Sequence, residues 1–207
     1  KLAGRLFVFA HADPAYELYL GSVPSGGFSF EWFAKLHNIS VDEFFRLAQS
    51  APFTEELPVF LPYILGRGAP YMDYAPNGAW LNLKASHTLA DLCRAAVFGA
   101  LCPLRQCADL LEDLAGKRPD LVLQALACRE NAVKASAGAL FRQKKLIPAN
   151  SEASLLGGAV IATTALGVYP DMESAGKAMV KNFETDLEHD EQAELMFRRF
   201  LKQEVIR

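Results

Sequence analysis

The sequence predicts a mixed α/β fold, with helices layered on at least one face of a sheet. Three observations carry this expectation. The chain opens with two short β-type runs around a turn, its middle holds a long apolar helical pattern, and its last third alternates strands with helices.

In order, residues 6–10 and 16–20 are rich in aromatic and aliphatic side chains and flank His11-Ala12-Asp13-Pro14, which predicts a hairpin. Gly26-Gly27 then precede Phe28, Trp32, Phe33 and Leu36 at helical spacing. Ser40 and Glu43 have capping-box spacing ahead of Phe44, Phe45 and Leu47 and mark a second helix. Residues 52–76 hold five of the eleven prolines, so one short strand and extended turns are expected there. Phe60, Leu61, Tyr63, Ile64 and Tyr71 argue that this segment is packed rather than a linker. Residues 89–114 carry leucines and alanines along one side of a long helix that Pro103 is expected to kink or divide. "VLQALACRENAVKASAGALF" at 122–141 reads as a buried strand, a four-residue turn and a helix from about Asn131. A strand "KKLIP", a helix over 154–166 ended by Gly167, and helices near 171–182 and 190–205 capped by Asp171 and Asp190 complete the chain.

With 207 residues and 51% hydrophobic content, residues 1–207 suit a single globular domain or a large lobe. A net charge of −3 offers no basic face, which argues against nucleic acid as a partner. Cys93, Cys102, Cys107 and Cys128 lack paired C-x-x-C spacing and read as buried thiols in a reducing compartment, with a zinc site as the minor alternative. No apolar stretch reaches the roughly 18–20 residues of a membrane helix and no leader pattern is present, so no membrane partner and a cytoplasmic location are expected. A β-rich segment starting directly from Lys1 reads as the back part of a longer polypeptide.

Few residues suggest chemistry singly. Gly26-Gly27 before a helix is either a tight turn or an anion site, because absent side chains expose backbone N–H groups at a positive helix end. Gly157-Gly158, among Ala153, Ala159, Ala162 and Ala165, points to a helix packed closely on a sheet, or to a ligand's near approach. His11 and Asp13 read as a solvated turn rather than a metal pair, and no metal ligands are assigned. Phosphate-loop, nucleophile-elbow and H-E-x-x-H signatures are absent. Apolar residues around "VFLPYILG" raise the possibility of a homodimer.

The order of the pieces says more. Gly4, then Gly26-Gly27 followed by Trp32, then "LPYILGRGAP", "GAWLNLKASHTLADLCRAAVF", the strand-turn-helix at 122–141 and "EASLLGGAVIATTALGVYPD" together resemble the C-terminal domain of the FGGY carbohydrate kinases over nearly the whole chain. Glu152, Leu156, Gly157, Ala159, Ala165, Gly167 and Tyr169 match the family's late segment. Gly78, Trp80, Leu83, Asp91, Leu92 and Ala95 match its longer signature, with Asn82 in place of a glycine and Phe98 in place of an acid. "LGRGAP" sets Arg67 where the family has glutamate and Gly68 where it has arginine, which predicts a turn without that ion pair.

The resemblance implies an α/β, ribonuclease H-like lobe of the actin and hexokinase type, a mixed sheet with flanking helices. It implies ATP and magnesium as cofactors, with most of the nucleotide site in this lobe. The sugar contacts and the aspartate base belong to an N-terminal lobe before Lys1, so no catalytic residue is assigned here. By position, Gly4 and Arg5 fall on the family's Gly-Thr phosphate turn, Gly27 with Gly26 on a second phosphate contact, Ala127-Cys128 on the Gly-Gly beside adenosine, and Ala132 in the adenine pocket. The implied reaction is transfer of the ATP γ-phosphate to a sugar or polyol hydroxyl, with the two lobes joined. The altered positions Arg5, Arg67, Asn82, Phe98, Ala127 and Cys128 leave the alternative of a degenerate relative that binds a sugar or partner without phosphotransfer.

Overall fold

The computed structural model describes residues 4–205. Strands β1 (Phe7–Ala10) and β2 (Glu17–Leu20) form the expected hairpin, with Phe7 opposite Leu20. The Asp13 carboxylate closes its turn by accepting from the Ala15 N–H at 2.9 Å. Helix α1 (Phe28–Leu36) follows, then α2 (Val41–Ser50), where the Ser40 hydroxyl accepts from the Glu43 N–H at 3.1 Å. Glu43 does not reciprocate; its carboxylate pairs instead with Arg46 at 2.6 Å.

Strand β3 (Val59–Leu61) is the short strand of the proline-rich segment and pairs antiparallel with β4 (Ala79–Leu81), a strand the sequence does not announce. Helix α3 (Leu89–Ala115) runs through Pro103 undivided. Its residues from Cys93 to Cys107 are nearly all buried, so packing on both sides of the proline holds the two halves in one element. Thr88 and Asp91 form a full capping box at its start, which gives Asp91 a structural task. At Gly99 the helix crosses β3 so closely that a Cβ would lie 2.3 Å from the Phe60 carbonyl oxygen.

The last third alternates as expected. Strand β5 (Leu121–Val122), helix α4 (Leu126–Arg129), helix α5 (Asn131–Leu140), strand β6 (Lys145–Pro148), helices α6 (Ala153–Ala165) and α7 (Met172–Met179), strand β7 (Asn182–Glu184) and helix α8 (Glu191–Val205) occur in that order. Strand β6 is central, parallel to β5 and antiparallel to β7, which makes a mixed sheet. The apolar run from residue 122 contributes only Val122 to strand β5; Ala125 turns the chain and Leu126 already begins a helical turn.

The core joins α1, α2, β3, α3, α5 and α8. Phe33, Phe44, Phe60, Val97, Leu140 and Phe200 are almost wholly buried, each worth about 1.5–3 kcal/mol of transfer free energy. The ring of Phe44 stacks on Phe30 at 5.4 Å, and that of Phe60 meets Trp80 at 4.6 Å. Because Val59, Phe60, Leu61 and Tyr63 lie in this core and Leu65 is the one large apolar side chain of "VFLPYILG" that is exposed, the segment gives no support to a homodimer. Burial pushes the Cys93 thiol up to about 12 and the Cys107 thiol up to about 11, which keeps both unreactive.

Helix α6 departs from expectation. A Cβ at Gly157 or Gly158 would meet nothing within 4 Å, and Val160 is the one buried residue of the helix among those described. Its neighbour is α7, not a sheet. No helix of the described residues is long and apolar enough to cross a membrane.

Candidate functional site

The entrance to α1 borders the bend that leads into α5. Gly27 precedes α1 with no side-chain cap, and a Cβ on it would stand 3.5 Å from Leu126 Cδ1, so the entrance to α1 adjoins the bend after β5. On the other side, α5 begins at Asn131 behind Glu130, whose side chain makes no capping bond. Among the described residues, the N–H groups of Asn131, Ala132 and Val133 have no acceptor, as is usual in a first helical turn. Each of these starts carries the positive end of its helix dipole.

The bend is internally satisfied. The Leu123 N–H donates to the Leu146 carbonyl at 2.8 Å and extends the sheet by one residue. The N–H groups of Ala127, Cys128, Arg129 and Glu130 go to the carbonyls of Gln124, Ala125, Ala125 and Leu126. The Cys128 thiol donates to the Leu123 carbonyl at 2.8 Å, so this sulfur locks the turn onto the strand. Ala127 and Cys128 thus sit in one helical turn with their amides already used.

The backbone demand lies two residues earlier. Ala125 has φ 52° and ψ −121°, a conformation that glycine adopts freely and a Cβ resists. The turn therefore has a glycine-like backbone at an alanine. Nothing in the sequence marks this, because alanine fits the apolar run around it.

The expected site residues divide into two groups. Gly27 reaches Leu126, which Ala127 and Cys128 follow in the same helical turn with Arg129 exposed beside them, while Gly26 has only the Val23 carbonyl near its α-carbon. Ala132 is buried under the bend at 1% exposure and faces the core. Gly4, with φ 75°, makes a turn in open space. Arg5 donates from Nε to the Pro70 carbonyl at 3.4 Å and lines a hollow of about 200 Å³ with Tyr71, Gln106, Asp109 and Asp113. Two carboxylates share that hollow with Arg5, an electrostatic setting opposed to polyphosphate.

The altered family positions have local explanations. Asn82 has φ 60°, so it takes the left-handed conformation where glycine is usual, and asparagine tolerates it better than most residues. Gly68 leaves no room for an arginine, since a Cβ there would lie 2.4 Å from the Ser22 carbonyl oxygen. Arg67 pairs with Asp73 at 3.0 Å and lies over the Tyr71 ring at 4.3 Å, so the turn carries an ion pair of its own. Phe98 is buried at 4% exposure, edge-on to Phe53 at 5.3 Å, and fills an acid's place with hydrocarbon.

A polar cluster that the sequence does not reveal pins this proline-rich segment. Glu204 of α8, 3% exposed, accepts from the hydroxyls of Tyr63 and Tyr71 and from the Gln106 amide. Burial first, then the Glu204 charge, push the Tyr63 phenol far up and the Tyr71 phenol up to about 12. Four partners separated by up to 141 positions leave no sequence signature.

Residues 21–166 match the FGGY family of carbohydrate kinases, C-terminal domain. The xylulose kinase of Staphylococcus epidermidis is 22% identical over 179 residues, covering 86% of this chain and 36% of that protein. The glycerol kinase of Mycoplasma pneumoniae is 26% identical over 185 residues, covering 84% of this chain and 35% of that protein. A ligand-bound xylulose kinase from Lactobacillus acidophilus superposes with a TM-score of 0.83 at 21% identity, over 97% of this chain and 42% of that one. The chain therefore spans well under half the length of these relatives.

Proposed function

The chain belongs to the FGGY family of carbohydrate kinases as its C-terminal domain, and on that premise we propose that it is the nucleotide-binding lobe of a kinase that phosphorylates a sugar or polyol hydroxyl. The observation that carries this reading is the contact of the uncapped entrance to α1, at Gly27, with Leu126 in the bend that leads into α5, whose start at Asn131 also lacks a side-chain cap. Such ends receive phosphate oxygens on free N–H groups. The residues present suit the anionic end of ATP: Gly27 and the first turn of α5 offer amides, and exposed Arg129 offers a cation. ATP with magnesium supplies the transferable phosphoryl group; this chain's share is to hold and orient it. The carboxylate base and the sugar contacts belong to the remainder of the longer polypeptide.

The test is titration calorimetry of the whole protein with Mg-ATP, followed by a coupled assay over a panel of pentuloses, hexoses, glycerol and other polyols. Binding that weakens in Arg129→Ala, with turnover of at least one acceptor, is the expected result. Neither binding nor turnover would overturn the proposal.

A second reading, a relative that binds without transferring phosphate, is favoured by Phe98 buried in an acid's place and by the strained Ala125. Nucleotide binding without turnover on any acceptor would select it.

A further inference from the structure

Strand β5 stops where its neighbour can no longer donate. In the parallel ladder Leu121 faces Lys145 and Val122 faces Leu146, and the Leu121 and Leu123 N–H groups donate to the Lys144 and Leu146 carbonyls, each at 2.8 Å. A parallel ladder spaces its bonds evenly, each bonded residue donating to the residue before its partner and accepting from the residue after it. The next rung in this register is therefore an N–H of residue 148 given to the Leu123 carbonyl. Residue 148 is proline, the last of β6, and has no N–H to give. Leu123 is only 5% exposed, so an unpaired carbonyl there would be costly. Among the described residues one donor reaches it, the Cys128 thiol at 2.8 Å. That bond spans five positions and folds the chain back onto the strand end, across Ala125 at φ 52°. The other hydrogen bonds of the bend run among residues 124–130 themselves; they shape the turn without tying it to the sheet.

Resting on the reading of this bend as part of a nucleotide site, we infer that Cys128 is a positioning residue. By supplying the donor that Pro148 lacks, its thiol fixes the bend to the end of β5, and so sets where Leu126 and the first turn of α5 stand when Mg-ATP binds. It acts through the Leu123 carbonyl, not on the reacting atoms. The proline of β6 and the cysteine of α4 form one device: the first opens a rung of the ladder and the second closes it. Two requirements follow. Position 128 needs a hydrogen-bond donor, and the need lapses once residue 148 regains an N–H.

A double-mutant cycle in the whole protein tests this. Cys128→Ala should raise the KM for Mg-ATP and the calorimetric Kd for Mg-ADP about tenfold, the effect of one buried hydrogen bond, while kcat stays within about twofold. Cys128→Ser keeps a donor and should stay near the parent. Pro148→Ala alone should change little, and Cys128→Ala with Pro148→Ala should recover most of the lost affinity, because residue 148 then donates to the Leu123 carbonyl. A sulfur that merely fills space predicts otherwise: Cys128→Ser would fall with Cys128→Ala, and Pro148→Ala would rescue nothing. Either result overturns the inference, as does unchanged nucleotide affinity in Cys128→Ala. If Cys128→Ala does not fold, recovery of folding in the double variant supports the inference and its absence counts against it. Hydrogen exchange without nucleotide separates this inference from the kinase reading. The amides of residues 127–130 should exchange faster in Cys128→Ala and slow again in the double variant. That pattern in a protein that binds no nucleotide keeps the anchoring and counts against the kinase reading; unaltered exchange in Cys128→Ala overturns the anchoring whatever the protein binds.

Discussion

Replacing Ala125 with glycine isolates the strain in the bend. At φ 52° and ψ −121° a residue with a Cβ pays roughly 1–3 kcal/mol. Ala125 is exposed, so removing its methyl group sacrifices little packing. Against the gain stands the greater freedom of glycine in the unfolded chain, about 0.4–1 kcal/mol. The net expectation is stabilisation by about 1 kcal/mol, which raises Tm by roughly 2–4 °C for a domain of this size. Urea denaturation and calorimetry measure it directly. The comparison variant is Ala127→Gly, which places glycine inside the α4 turn at an ordinary conformation and should destabilise by roughly 0.5–1 kcal/mol. The reasoning is refuted if Ala125→Gly destabilises, or if the two variants behave alike. Mg-ATP affinity of the whole protein should be equal or higher in Ala125→Gly, because the bend presents less bulk.

Other consequences are as direct. Asn82→Gly should be close to neutral and Asn82→Val should destabilise by about 1–3 kcal/mol, since a β-branched residue resists φ 60°; thermal melts of the pair separate the cases. Glu204→Ala strips an acceptor from two tyrosines and Gln106 and should cost roughly 3 kcal/mol by chemical denaturation. The raised phenols fix the sign of the alkaline limb. The folded protein keeps the Tyr63 and Tyr71 protons above the usual 10.0, so their stabilisation is whole below pH 10 and is lost as pH rises through about 12 for Tyr71. Tyr71→Phe should make the fall in Tm above pH 10 shallower, with Tyr63, Cys93 and Cys107 sustaining the part that remains. Arg105 is fully buried, bonded to Asp109 and to the Leu140 carbonyl, and 3.5 Å from Glu194; Arg105→Ala should therefore cost about 3–5 kcal/mol, read as a lowered urea midpoint.

Legibility in the sequence followed the range of the physics involved. The hairpin, the helix starts at Ser40 and Asp171 and the stop at Gly167 rest on neighbouring residues, and each was readable. Strands β4 and β7 are three residues long, and "AWL" and "NFE" are too short for alternation to register. The family order of motifs revealed the fold because it sums many weak local signals along the chain. The bend at 124–130 misled because its decisive quantity is a backbone angle at Ala125, while the side chains around it spell a strand. Gly27 was legible as a helix entrance, but its neighbour Leu126 was not, since that contact spans about a hundred positions. Arg5 illustrates the same limit: Asp109 and Asp113, which set its electrostatic setting, reach it only through the fold.

The claim that everything else serves is that the entrances to α1 and α5 jointly face one adenosine polyphosphate. Hydrogen exchange of the whole protein with and without Mg-ADP tests it most directly, read at the amides of residues 27–28 and 131–133. Simultaneous slowing at both segments is the predicted result. Nucleotide that binds by calorimetry yet leaves both segments unchanged would contradict it.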